Sequence, residues 1–359
     1  MGNGRISMGM NGNPGAMRKT LIVAELSANH NGSRRTALET IRAAKRAGAD
    51  AIKLQTYTAD TLTLNCARPD FVTNEGGPWD GRVLYELYQE AHTPWEWHGE
   101  LFEEARRLGL ICFSTPFDTT AVDFLEGLGT PMYKIASFEI ADTPLIAYAA
   151  SKGKPMVLAT GIATEDDIAR AVKACRDVGN DDITLLKCTS AYPTKPEEAN
   201  LRMIPDLARR FGVKAGLSDH TLGPWAPVVA VTLGAVMVEK HFIIDRAIGG
   251  PDASFSMDEG EFTAMVQAVR TAEAMLGRVD YTLTPGMEAA RMGGRSLYVA
   301  EDMEAGDAIT PQNVRSVRPG FGLPPYYLPK IMGLRVVRAL RFGDRLTWGD
   351  IELPEGWEG

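Results

Sequence analysis

The chain has 359 residues, 45% of them apolar, 23% charged and 8% aromatic, with a formal net charge of −8. This is the profile of a packed globular protein and excludes a disordered chain, and no apolar run approaches the ~20 residues that a membrane-spanning helix needs. The acidic balance argues against a nucleic-acid surface, and an anionic small molecule would need Lys and Arg gathered locally against the overall field.

Residues 1–18, rich in Gly, Asn and Met, lack the apolar core of a secretory signal and are expected to form a flexible tail. From Leu21 onward eight short apolar runs follow: LIVAEL, AIKLQ, LICFST, MYKIAS, MVLAT, ITLLKC, KAGLS and AVMVEK. Amphipathic segments such as RRTALETIRAAKRAG and TEDDIARAVKACRDVG separate most of them, with apolar residues at i, i+3, i+4 and i+7. Gly48, Gly109, Gly129 and Gly179 stand where helices should end, and Thr164 with Asp167 marks a helix start. Eight strand–helix units over roughly 255 residues predict an α/β fold of the (β/α)8 TIM-barrel type, spanning 19–278. A doubly wound sheet is the alternative, but no G-x-G-x-x-G or Walker A sequence follows any strand.

A linker is expected over 279–294, followed by a small β-rich domain over 295–359. That region repeats itself: Gly306-Asp307, Ile309-Thr310 and Val314 match Gly343-Asp344, Leu346-Thr347 and Ile351 at equal offsets. SLYVA and RVVRAL are predicted as the strands leading into each copy. The intervening Arg315–Gly322 stretch is either an anion clamp or a solvated basic loop. Cys66, Cys112, Cys175 and Cys188 show no metal-type pairing and suggest reduced thiols in a cytoplasmic protein.

In a barrel of this kind the active site lies at the C-terminal ends of the strands. Polar and ionisable residues do punctuate those ends: Glu25, Lys53, Gln55, Thr115, Lys134, Ser137, Glu139, Thr160, Thr189, Ser190, Tyr192, Ser218, His220, Glu239 and His241. Lys53 and Lys134 are the informative ones, because they lie inside apolar runs, where a lone lysine is costly. With hydroxyls at Thr115, Ser137, Thr189, Ser190 and Ser218 they would form a cationic, donor-rich cup suited to a phosphate plus a carboxylate. Glu25, Glu139, Glu239 and Asp252 are the carboxylates available for proton transfer or for sugar hydroxyls. His220 and His241 follow neighbouring strands about 4.8 Å apart and fit either one shared divalent ion or ordinary core packing. His92 and His98 are expected at the surface or in packing, and His30 near the active face without an evident partner.

IVAELSANHNGS, AGADAIKLQTYT, FSTPFD, YKIASFE, CTSAYP, GLSDHTLG, EKHF and GGPDASFS together resemble the sialic acid synthase family. SLYVAEDMEAGDAIT and RPGFG resemble the antifreeze-like SAF (β-clip) domain that follows the barrel in that family, and the likeness covers 19–353. LQTYTADTLT, PWDGR, YKIASFEI and RPGFG are most similar to the branch that makes pseudaminic acid, with the N-acetylneuraminate and legionaminate branches as alternatives. The resemblance implies condensation of phosphoenolpyruvate with open-chain 2,4-diacetamido-2,4,6-trideoxy-L-altrose, feeding surface glycans or glycosylated flagellin. Position by position, it implies acid–base roles for Glu25, Glu139 and Glu239. Phosphoenolpyruvate would lie near Lys53, Thr115, Lys134, Ser137, Ser190 and Ser218. Gln55, Tyr192, Asp252 and Arg318 would contact the sugar, Arg318 reaching a partner's barrel in a domain-swapped homodimer. His220 and His241 would hold a divalent ion, Mn²⁺ first, with Mg²⁺ or Co²⁺ as alternatives. Two other readings compete: a Schiff-base aldolase with Lys53 or Lys134 as nucleophile, and a carbohydrate-binding protein with an inactive barrel.

Overall fold

The structure, a computed structural model, describes residues 19–74 and 79–357. The expected tail over 1–18, and Pro78 of the PWDGR motif, lie outside the described residues. The chain divides into two compact units, one ending at Arg278 and the other beginning at Val279.

The first unit is a closed barrel of eight parallel strands in sequence order. They are β1 (Leu21–Glu25), β2 (Ala51–Thr56), β3 (Ile111–Pro116), β4 (Tyr133–Ile135), β5 (Met156–Ala159), β6 (Ile183–Lys187), β7 (Lys214–Asp219) and β8 (Met237–His241). Side chains alternate across a strand, so inward positions recur every second residue. Val23, Ala51, Phe113, Met132, Val157, Leu186 and Met237 form an apolar plug inside the barrel. Two residues further along, the same inward rows become ionisable: Glu25 after Val23, Lys53 after Ala51, Lys134 after Met132 and Glu239 after Met237. Outward positions such as Ile22, Ala24, Ile52, Leu54 and Val238 join the larger core packed against the helices. Gly216 on β7 is required by this packing, since a Cβ there would lie 2.5 Å from the Met237 carbonyl oxygen.

The helix signals are realised. Ser33 caps Arg34–Arg46, its side chain accepting from the Thr36 N–H, and Thr164 forms a capping box with Asp167 at the start of Glu165–Asp177. Gly48, Gly109, Gly129 and Gly179 adopt φ of +69° to +89°, the left-handed turn that ends a helix. β4 is only three residues long, and β8 runs through His241, so Glu239 and His241 lie within the strand rather than after it.

In the second unit β9 (Ser296–Val299) pairs antiparallel with β10 (Val314–Val317). Two expectations are corrected here. RVVRAL is not a strand: Arg335, Val336 and Leu340 make single bridges to Ala308, Ile351 and Met303, three partners too scattered to propagate a ladder. Arg315–Val317, assigned above to the loop, belongs to β10. The stretch read as a linker contains the helix Pro285–Arg291, capped by Thr284 with proline at its first position. Both copies of the repeat converge on one small core, with Ile309 and Val314 from the first and Leu346 and Ile351 from the second. Among the described residues no helix is long and apolar enough to cross a membrane.

Candidate active site

The inward row above the apolar plug opens into a cavity of about 460 Å³ whose lining includes Glu25, Lys53, Gln55, Thr115, Lys134, Ser137, Glu139, Tyr192, Ser218, His220, Glu239, His241 and Asp252. Thirteen of the residues singled out from sequence, Asp252 among them, therefore meet in one place. The strand registers explain the meeting, since Glu25 is level with Lys53 on one side and His241 on the other, and Ser218 is level with Glu239.

Two lysines and two glutamates alternate in a row, Glu25–Lys53–Glu239–Lys134, on the floor. Lys53 Nζ lies 2.7 Å from Glu25 Oε2 and 3.6 Å from Glu239 Oε1, and Lys134 Nζ lies 3.2 Å from the same Glu239 oxygen. Ser218 Oγ donates to Glu239 Oε1 at 3.1 Å, and Lys53 donates to Thr115 Oγ1 at 3.2 Å. Gln55 Nε2 bridges Glu25 Oε1 at 3.0 Å and Ser27 Oγ at 2.9 Å. Burial raises the Glu25 carboxyl despite Lys53. Glu239 is equally buried, but Lys134 and Lys53 together outweigh that and hold it at about 2. Burial would lower Lys134, yet Glu239 and Glu25 keep it protonated. Glu139 has no such pair of cations, and burial lifts its carboxyl to about 7.

Beside this row, Ser137, Ser190 and Gly161 converge. The Gly161 N–H donates to Ser137 Oγ at 3.0 Å, and a Cβ on Gly161 would collide with Ser190 Oγ and lie 2.7 Å from Ser137 Oγ. Ser190 Oγ is buried without a partner. This is a small cradle of donors that admits only glycine at its base. Thr189, grouped with these hydroxyls above, is a correction: its Oγ1 accepts from Lys187 Nζ at 3.1 Å and faces the Glu198 carbonyl.

The two imidazoles sit with ring centroids 5.4 Å apart, and Tyr192 packs on His220 at 4.3 Å. His220 Nδ1 donates to the Thr189 carbonyl at 2.9 Å, which leaves Nε2 with its lone pair free. Cys188 Sγ lies 3.8 Å from that Nδ1. Burial favours the neutral form of both, while their mutual attraction lowers the Cys188 thiol to about 7 and raises His220. Burial keeps His241 neutral, its Nδ1 has no hydrogen-bond partner, and Asp252 Oδ2 is 3.8 Å away. Two buried imidazoles with free ring nitrogens suit a divalent ion whose other positions go to water or substrate. Among the described residues no group of three metal-ligating side chains occurs.

Several functional elements escaped the sequence reading. Asp219 and Lys240, each next to one of the histidines, form a buried ion pair of 2.5 Å on the opposite face of β7 and β8. Asp219 also accepts from the Thr221 N–H at 2.9 Å, and Lys240 donates to the Thr221 carbonyl. The alternation of inward and outward residues could have flagged them. Ser27 takes a φ of +46°, and burial raises Asp252 against hydrogen bonds from Ser27 and the Ala28 N–H. An apolar wall formed by Tyr57, Leu84, Leu87, Tyr88 and Phe117 also lines the cavity. His98 is buried against Thr56 at 2.9 Å, and His30 packs edge-on to Trp97, so neither belongs to the cavity. Arg318 lies in the second unit, directly after β10.

Comparison with known proteins places these features. A model described as the NeuB family matches residues 40–281, and an SAF domain model matches 294–352. A pseudaminic acid synthase of Campylobacter jejuni is 47% identical over 341 residues, covering 95% of this chain and 99% of that protein. An N,N'-diacetyllegionaminic acid synthase of Legionella pneumophila is 36% identical over 94% of this chain and 96% of its own length. The solved structure of a spore coat polysaccharide biosynthesis protein of Bacillus subtilis superposes with a TM-score of 0.64 at 33% identity, covering 95% of this chain and 97% of that one. On this evidence the chain belongs to the NeuB family.

Proposed function

We propose that the chain is a transferase of the pseudaminic acid synthase type. It condenses phosphoenolpyruvate with open-chain 2,4-diacetamido-2,4,6-trideoxy-L-altrose, in the cytoplasm, to give a nine-carbon 2-keto sugar acid and phosphate. The observation that carries the chemistry is the Glu25–Lys53–Glu239–Lys134 row next to the Ser137–Ser190–Gly161 cradle. The choice of sugar rests on the greater likeness to the Campylobacter pseudaminic acid synthase than to the legionaminic acid enzyme.

Lys53, Lys134, Thr115, Ser137, Ser190 and Ser218 hold the phosphate and carboxylate of phosphoenolpyruvate by charge and hydrogen bonding. Lys134 stays an ammonium, which suits a clamp and not a Schiff-base nucleophile. The enol electron pair forms a bond from C3 to the aldehyde carbon, whose oxygen takes up a proton to become a hydroxyl. Positive charge then develops at C2, where Glu25 and Glu239 stabilise it. Water adds at C2 as Glu139 accepts its proton, a task matched to a carboxyl near 7. The C2–O bond breaks as the C2 hydroxyl gives its proton to the departing phosphate, which keeps its own bridging oxygen, and the new ketone keeps the oxygen from water. Gln55, Tyr192 and Asp252 orient the sugar, and Arg318 completes a partner's site in a domain-swapped homodimer. His220 and His241 would hold a divalent ion, Mn²⁺ before Mg²⁺ or Co²⁺, which supplies Lewis acidity to the aldehyde oxygen.

The test is phosphate release from phosphoenolpyruvate with three sugars side by side: the altrose derivative, the legionaminic acid precursor and N-acetylmannosamine. Fastest turnover is expected with the altrose derivative. Equal or faster turnover of N-acetylmannosamine overturns the choice of sugar, and no sugar-dependent release overturns the synthase reading.

A further inference from the structure

The cavity has two chemically different parts. Phosphoenolpyruvate, an anion with a single CH₂ of apolar surface, matches the charged floor. The apolar wall does not match it. The helix Leu84–Ala91 turns Leu84, Leu87, Tyr88 and Ala91 toward the cavity, at spacing i, i+3, i+4 and i+7. Leu87 is buried, but Leu84, Tyr88 and Ala91 stay half-buried, and none of the four packs into the main apolar clusters of the barrel unit, where such a stripe is normally spent. Tyr57 extends the wall, its ring edge-on to Tyr88 at 5.8 Å and to Phe117 at 5.1 Å. An apolar helix face left toward an open, ligand-sized cavity is unfavourable unless something apolar covers it.

We infer that this wall receives the end of the amino sugar remote from its aldehyde, taking up the C6 methyl, and so selects 6-deoxy over 6-hydroxy substrates. The inference rests on the synthase reading, which supplies a second substrate in the same cavity. Two features commit the wall to that occupant. It is continuous with the floor where the aldehyde must meet phosphoenolpyruvate, and the 460 Å³ of the cavity lies within the range of ligand-binding cavities. A terminal hydroxyl against Leu84 and Leu87 would lose its water without gaining a partner. A methyl group loses nothing there.

The experiment compares kcat/KM for 2,4-diacetamido-2,4,6-trideoxy-L-altrose with that for its 6-hydroxy counterpart, in the unmodified chain and in Leu84→Asn. A single-group contrast in an apolar pocket is worth about 10–200-fold, so the unmodified chain should prefer the deoxy sugar by a factor in that range. Leu84→Asn should bring the ratio toward one, and Leu84→Ala should move it the same way by a smaller step. A ratio of rates is independent of the fraction of protein folded, so general damage leaves it unchanged. Turnover of both sugars with the same ratio in all three proteins overturns the inference alone. No turnover of either sugar by the unmodified chain overturns the synthase reading and this inference with it.

Discussion

Glu139 and Glu239 have the same side chain and opposite titration, because one faces two ammonium groups and the other is lifted by burial to about 7. The folded pKa of Glu139 lies above its ordinary 4.5, so ionising it costs folded-state stability as pH rises from the ordinary value through about 7. As a base it works only when ionised. The expected profile is therefore a kcat/KM that climbs with pH through about 7, measured under saturating metal and sugar. Glu139→Gln should remove that limb and lower the rate by about 10²–10⁴-fold. A variant with an unchanged profile would assign the limb to another group. At this scale the sequence was informative where a residue was costly: Lys53 and Lys134 inside apolar runs drew attention because burial of a lone ammonium demands a partner. Gly161 drew none, since its role lies in the space a side chain would occupy and composition does not report space.

The same contrast holds for whole elements. The eight strands were legible from apolar runs, and the position of the site followed from which ends carry polar residues. What was missed on β7 and β8 faces the other way. Asp219 and Lys240 are cross-strand partners, and their buried ion pair matches the register in which His220 and His241 both reach the cavity. A buried pair is seldom more stable than an apolar replacement, but losing one partner leaves an uncompensated charge. Lys240→Met should accordingly lose about 3–5 kcal/mol in urea unfolding. Adding Asp219→Leu should restore most of that loss; a double variant as unstable as the single one would show that the pair contributes by packing instead. RVVRAL was misread for a related reason. Its apolar pattern suits a strand, but the small second unit offers it three separate partners instead of one edge.

For the molecule as a whole, the repeated sequence in the second unit proved to be one core built from two half-contributions, which a motif search finds without revealing that they pack together. The charge balance is subtler. The chain carries −8 overall, while on the cavity floor Lys53 and Lys134 are offset by Glu25 and Glu239. Before a divalent ion binds, an approaching polyanion therefore meets a net negative chain and a floor whose lysines are already paired. Without the ion, capture depends on short-range fit after arrival. Added salt screens fields beyond about 8 Å at physiological ionic strength, so the rate at which phosphoenolpyruvate binds the metal-free chain should rise as salt is added. A steep fall would mean that the lysines project an attractive field beyond their partners. The alternating row of charges thus sets a tempo as well as a geometry: without its ion, the site waits for the anion to arrive by diffusion and then holds it.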